Sequence, residues 1–214
     1  MSSTPIKYYG GKTKMLPHIL PLIPPHTAYI EPFCGGAAVF WAKTRCKCEV
    51  LNDTNGNLMN FYRVARDRKM RLHLENLVET SLHSEELWRK TKDIYLNPDK
   101  HKKVIRAWAL WYQCNFSFGA IVTSSFARSL KENGENLFQI KLDYMKKSFQ
   151  QTINRLDNCT LLNNDVLQTL NGTYNDKQTF AYIDPPYFNS DCGHYSGYTE
   201  ADYIKLLTFL GTEF

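Results

Sequence analysis

The sequence predicts an α/β protein: a Rossmann-like, mostly parallel sheet interrupted by a mainly helical insertion. Three observations predict it. Short apolar runs at 27–30, 48–51, 160–163 and 179–183 each lead into an acidic residue, Glu31, Asp53, Asp165 and Asp184. Continuous apolar runs, rather than alternating ones, suit strands buried on both faces, as parallel strands are. Second, the first run is followed by Cys34-Gly35-Gly36 and the helix-like Ala37-Ala38-Val39-Phe40-Trp41-Ala42, a strand, glycine turn and helix in series. Third, from 58 to 149 the strand and helix alternation gives way to helical patterns alone.

The composition bounds the function classes. With 214 residues, 43% of them hydrophobic and 22% charged, the chain can bury a sizeable core as one large domain or a domain carrying an insertion. No apolar run is long enough for a membrane span, and Met1-Ser2-Ser3-Thr4-Pro5 lacks the apolar core of a signal peptide, so the reading is cytoplasmic with no membrane partner. Six cysteines are scattered, and the close pair Cys46-x-Cys48 has no second pair or histidine cluster at zinc-like spacing; the expectation is reduced thiols and no metal. A net charge of +5 permits a polyanionic partner without requiring one.

Taken in order, Ile6-Lys7-Tyr8-Tyr9-Gly10-Gly11-Lys12 is a loop joining aromatics, glycines and a lysine. The strand at 27–30 runs into Glu31-Pro32-Phe33-Cys34-Gly35-Gly36, where glycines let backbone amides approach a ligand at a helix start. The strand at 48–51 ends in Asn52-Asp53, about twenty residues after the glycines, where a ribose-binding carboxylate is expected. Asn52 or Asp53 equally suits a cap for the helix over 55–66, whose apolar face is Leu58, Phe61, Tyr62 and Ala65. Helices are predicted over 82–95 and 103–114. Basic clusters at Arg63, Arg66, Arg68, Lys69 and Arg71, at Lys100, Lys102, Lys103 and Arg106, and at Lys141, Lys146 and Lys147 read as solvated faces or as a polyanion footprint. The polar and aromatic stretch from Asn115 and Ser117 to Arg128 suits a hairpin touching nucleic acid. The last strand ends at Asp184-Pro185-Pro186-Tyr187, because proline cannot extend a ladder. At a strand's carboxyl end that carboxylate and ring face a ligand crevice, although a strand followed by a rigid turn accounts for the same residues. The stretch 188–198 has flap-like composition, and Thr199 with Asp202 caps a final helix carrying Tyr203, Leu206, Leu207 and Leu210.

Lys7-Tyr8-Tyr9-Gly10-Gly11-Lys12, Glu31-Pro32-Phe33-Cys34-Gly35-Gly36, Asn52-Asp53-x-Asn55 and Asp184-Pro185-Pro186-Tyr187, in this order and with the insertion between the second and third acidic strands, resemble the Dam-like (D12 class) adenine-N6 DNA methyltransferases. The resemblance covers nearly the whole chain. It implies a methyltransferase with S-adenosylmethionine held by Tyr8, Lys12, Glu31, Phe33, Gly35, Asp53, Asp165 and Asp184, with Asp53 on the ribose hydroxyls. It implies a catalytic domain of 1–57 and 150–214, and a target-recognition domain of 58–149 whose Asn115, Ser117, Arg128, Lys102, Lys103 and Arg106 meet double-stranded DNA. Ala37 departs from the pattern, standing where many relatives carry another glycine.

The implied chemistry needs these residue types. Asp184 and the Pro185 carbonyl accept the two N–H groups of an adenine amine, directing its lone pair at a sulfonium methyl. Pro186 holds the turn, and Tyr187 offers a face to a flipped base. A DNA-binding remnant without catalysis, and an RNA or small-molecule methyltransferase, share parts of this pattern. About four strands are expected, in the spatial order 3-2-1-4, against seven in the family. The sheet therefore reads as C-terminally truncated, with the strand at 179–183 an apolar edge open to a second chain or to self-association.

Overall fold

The computed structural model describes residues 4–171, 178–187 and 198–212. Within it Ala28–Glu31 (β1), Cys48–Asn52 (β2), Cys159–Leu162 (β3) and Thr179–Ala181 (β4) form one parallel sheet in the order β3-β2-β1-β4. This is the order expected from the sequence. The register pairs Ile30 with Val50 on one side and Ala181 on the other, so every acidic strand end falls at the same edge of the sheet. The ladder of β4 stops at Ala181 rather than Ile183, although the Tyr182 N–H still donates to the Ile30 carbonyl at 2.8 Å. Beyond that the two prolines, which have no N–H, end the pairing.

The helices are Leu16–Ile19 (α1), Ala38–Ala42 (α2), Gly56–Arg66 (α3), Arg68–Glu79 (α4), Glu85–Leu96 (α5), Lys103–Phe116 (α6), Leu137–Ile153 (α7), Val166–Leu170 (α8) and Glu200–Thr212 (α9). The centre of the helical part is α6, buried continuously from Ala107 to Phe116 because α3, α4 and α5 all pack on it. A helix apolar on all sides requires such enclosure. Its Trp108 and Trp111 share one hydrophobic cluster with Tyr29 and Leu51 of the sheet and Phe149 of α7. The sheet and the inserted helices therefore have a common core, and the expected boundary at 57/58 falls inside α3. Among the described residues no helix is long and apolar enough to cross a membrane, and no group of metal-binding side chains is present.

The final helix starts as its sequence demands. The Thr199 hydroxyl accepts from the Asp202 N–H (3.3 Å) while Asp202 Oδ2 accepts from the Thr199 N–H (2.9 Å), a reciprocal capping box. Of its expected stripe, Leu206 is buried against Val166 and Leu170, but Leu207 is exposed. The stretch 188–197 expected to form a flap lies outside the described residues.

Candidate active site

At the carboxyl edge of the sheet lies a cavity of about 720 Å³, within the range of nucleotide-sized ligand sites. Tyr8, Lys12, Glu31, Phe33, Gly35, Asp53, Asp165, Asp184, Pro185, Pro186 and Tyr187 all line it, so the expected cofactor and catalytic residues converge on one space. They arrive from five separate stretches. What draws them together is largely Asn52, fully buried at the end of β2. Its amide donates to the Pro32 and Asn164 carbonyls (both 3.0 Å) and accepts from the Asn164 N–H (2.9 Å), tying the ends of β1, β2 and β3.

The glycine turn is fixed just as tightly. Asp53 Oδ2 accepts from the Gly35 N–H (3.0 Å) and Oδ1 from the Asn55 N–H (2.8 Å), while the Tyr62 hydroxyl donates to the Gly35 carbonyl (2.7 Å). Burial pushes the Asp53 carboxyl up, against the pull of these two N–H groups. Gly35 has φ +46°, and a Cβ there would sit 3.2 Å from the Tyr8 ring, so a side chain is disfavoured on two counts. At Gly36 a Cβ would come within 3.1 Å of Tyr8 Cβ. The close approach the glycines permit is thus that of the Tyr8 loop. Tyr8 is held in turn by Asn55, whose Nδ2 donates to the Tyr8 hydroxyl (3.1 Å) and whose Oδ1 caps α3. Neither Asn52 nor Asp53 is that cap. Ala37 lies in the left-handed region at φ 52°, where a glycine is at ease.

Glu31 and Asp184 differ in environment. Glu31 is buried, accepting from the Tyr29 hydroxyl (2.9 Å) and the Phe40 N–H (3.3 Å) at the start of α2. Burial, reinforced by the field of Asp184, raises its carboxyl to about 8 despite those bonds. Asp184 makes an ion pair with Lys12 at 2.5 Å, and Lys12 also donates to the Gly10 carbonyl and lies over the Tyr187 ring. Burial lowers the Lys12 ammonium, but the hydrogen bonds and field of Asp184 and Tyr187 outweigh it and leave it raised. Tyr187 is 58% exposed, its hydroxyl 3.5 Å from Asp184 Oδ1. Asp165 is exposed and caps α8 through the Leu167 N–H (2.8 Å). Phe33 meets Tyr198 edge-on at 5.8 Å.

The expected DNA-facing residues divide. Asn115 and Ser117 are not surface residues but buried ones, so neither is presented to DNA. Asn115 accepts from the Lys7 N–H (3.3 Å) and donates to the Trp111 and Pro5 carbonyls, anchoring the loop that carries Tyr8 and Lys12. Ser117 accepts from the Trp88 indole (3.0 Å) and donates to Gln113 (3.1 Å). The stretch is no regular hairpin: its antiparallel pairing is the isolated bridge Ser117 to Phe126. Arg106 is half-buried and donates to Asn57 (2.9 Å), joining α6 to α3. Lys102, Lys103 and Arg128 are exposed, Arg128 in an ion pair with Glu85. Sequence reasoning missed the structural parts of Asn52, Asn55 and Tyr62 and the whole of Tyr198. A polar residue inside a strand end, as Asn52 is, was the available clue.

A parallel sheet with a glycine turn, a carboxylate after the second strand and an Asp-Pro-Pro-Tyr after the fourth defines the Rossmann-like class of methyltransferases. The chain belongs to the family described as D12 class N6 adenine-specific DNA methyltransferase, whose profile matches residues 8–206. It is 27% identical to the Type II methyltransferase M1.LlaDCHI of Lactococcus lactis subsp. cremoris, over 90% of this chain and 69% of that one. It is 26% identical to Modification methylase StsI of Streptococcus sanguinis, over 97% of this chain but 33% of that protein. With Type II methyltransferase M.CviBI of Paramecium bursaria Chlorella virus NC1A the identity is 25%, over 97% and 78%.

Proposed function

We propose that this cavity binds S-adenosylmethionine and an adenine turned out of duplex DNA, and that Asp184 and Pro185 align the adenine amine for methylation at N6. The observation carrying the reading is the single cavity lined both by Lys12, Asp184 and Pro185 and by Asp53 and the Gly35 turn. Its size suits a nucleoside-sized cofactor, and Asp53 keeps lone pairs beyond the two N–H groups it accepts, so ribose hydroxyls fit there. The bound cofactor supplies an electrophilic methyl on a sulfonium centre.

The chain's own residues do the rest. The Lys12 ammonium pairs with Oδ2 of Asp184, and Oδ1, which the Tyr187 hydroxyl approaches at 3.5 Å, keeps a lone pair to accept one adenine N–H. The Pro185 carbonyl, with no ladder partner among the described residues, accepts the other. Two acceptors out of the ring plane favour a pyramidal nitrogen whose lone pair is free to attack. Asp184 is no strong base: the amine sheds its proton after gaining the methyl, when it has become acidic. Tyr187, exposed beside Asp184, is positioned to stack a flipped base. Residues 58–149 supply the target-recognition surface, with Lys102, Lys103 and Arg128 on phosphates. Incubating the protein with methyl-labelled S-adenosylmethionine and DNA, then mapping methylated bases, tests the reading. Methylated adenine supports it, and label confined to RNA or small molecules replaces it.

A further inference from the structure

The cavity has a third wall that neither the catalytic nor the ribose-binding residues supply. It is made by Tyr198, Asp202 and Lys205 at the start of α9, facing Phe33 and Asp165. Tyr198 is the unusual member. Its hydroxyl is buried and has no hydrogen-bond partner among the described residues, although the residue lines a cavity. A buried unpaired hydroxyl costs stability comparable to a lost hydrogen bond, so its retention needs a reason. Its ring is held edge-on against Phe33, at 88°, which fixes where the hydroxyl points. The carboxylates whose fields reach it are Asp202 and Asp165, and both Asp202 oxygens are already engaged, with Thr199 and Lys205.

Asp165 follows β3, the strand farthest from β4 and Asp184, with Asp53 after β2 and Glu31 at the end of β1 between them. Tyr198 stands in the same cavity between the Phe33 ring, which follows β1, and the Asp165 carboxylate, whose field reaches it. We propose that the Tyr198 hydroxyl binds the purine of the cofactor's adenosine, completing its missing hydrogen bond in the bound state and selecting an adenine nucleoside. The inference rests on the methyltransferase reading above. The hydroxyl is neutral at working pH, so it donates to a ring nitrogen without placing a charge beside the purine, and Phe33 covers the apolar part of the same ligand.

The test is Tyr198→Phe, measured twice: by thermal melting of the free protein and by calorimetric binding of S-adenosylhomocysteine and of 5′-methylthioadenosine. Removing a hydroxyl that has no partner leaves the melting temperature of the free protein unchanged or slightly raised. Both ligands bind about five- to tenfold more weakly, by an equal factor, since both carry the purine. A clear drop in melting temperature shows that the hydroxyl serves packing and overturns the inference. So does undiminished binding, or a loss confined to S-adenosylhomocysteine, which would move the contact to the amino-acid end. Wild-type protein that binds neither ligand overturns the cofactor reading as well, whereas wild-type binding with an indifferent variant overturns only this inference.

Discussion

Gly35 and Glu31 show at the scale of single residues how the site is held. A methyl group at Gly35 would meet a left-handed backbone and the Tyr8 ring together. Gly35→Ala is therefore expected to cost roughly 1 to 3 kcal/mol in denaturant unfolding and to weaken cofactor binding, because Tyr8 must move. Unchanged stability would mean that the turn relaxes freely. Glu31 makes a pH prediction. Its carboxyl, raised to about 8 in the folded protein, binds a proton that the unfolded chain releases near its ordinary value. Its contribution to stability is complete below about pH 4.5 and is lost as pH rises to about 8, with a slope of about 1.4 kcal/mol per pH unit. Glu31→Gln removes that slope, so over pH 5 to 9 the unfolding free energy of the wild type should fall relative to that of the variant as pH rises and level off above about 8. Parallel curves would show that Glu31 is ionised throughout.

The elements explain what could and could not be read from the chain. Strand ends were legible because apolar runs meeting Glu31, Asp53, Asp165 and Asp184 mark both burial and its limit. Capping was legible at Thr199 and Asp202, where donor and acceptor lie three residues apart. The basic clusters were not, because charge in a sequence does not reveal depth. Arg71 is buried, donating to the Ala65 and Arg66 carbonyls and to Asn154 and Asp157. Lys141 donates to the Asn115 carbonyl over the rings of Phe116 and Phe138, and burial lowers its ammonium to about 7. Asn115 and Ser117 misled for the same reason: their partners are on Lys7 and Trp88, distant in sequence. The DNA prediction narrows accordingly. Replacing Lys102 and Lys103 together should lower the salt slope of DNA binding by up to about 2, with the melting temperature unchanged. Arg106→Ala should instead destabilise the fold, by breaking the α3 to α6 contact through Asn57. An unaltered salt slope would make the two lysines a solvated face.

At the scale of the whole molecule, the sheet and the helices of 58–149 share one hydrophobic core. What that core leaves uncovered is the outer side of β4, which among the described residues pairs with β1 alone. Ile204 and Leu207 are more than half exposed on α9 nearby. Unpaired backbone beside exposed aliphatic side chains is a surface open to another chain, so this 214-residue chain alone is expected to self-associate. Light scattering on a size-exclusion column should give a mass above 24.9 kDa that rises with concentration. A monodisperse monomer would remove the expectation.

In the proposed reaction Asp184, set by Lys12 just beyond the end of β4, aligns an adenine amine for methylation. Transfer of labelled methyl from S-adenosylmethionine to DNA, compared between wild type and Asp184→Ala, tests it most directly. The account predicts label on adenine N6 for the wild type, and for the variant a rate lower by at least roughly 100-fold while the fold and S-adenosylhomocysteine binding persist. Wild-type turnover by a folded Asp184→Ala protein, or label on a base other than adenine, would contradict it.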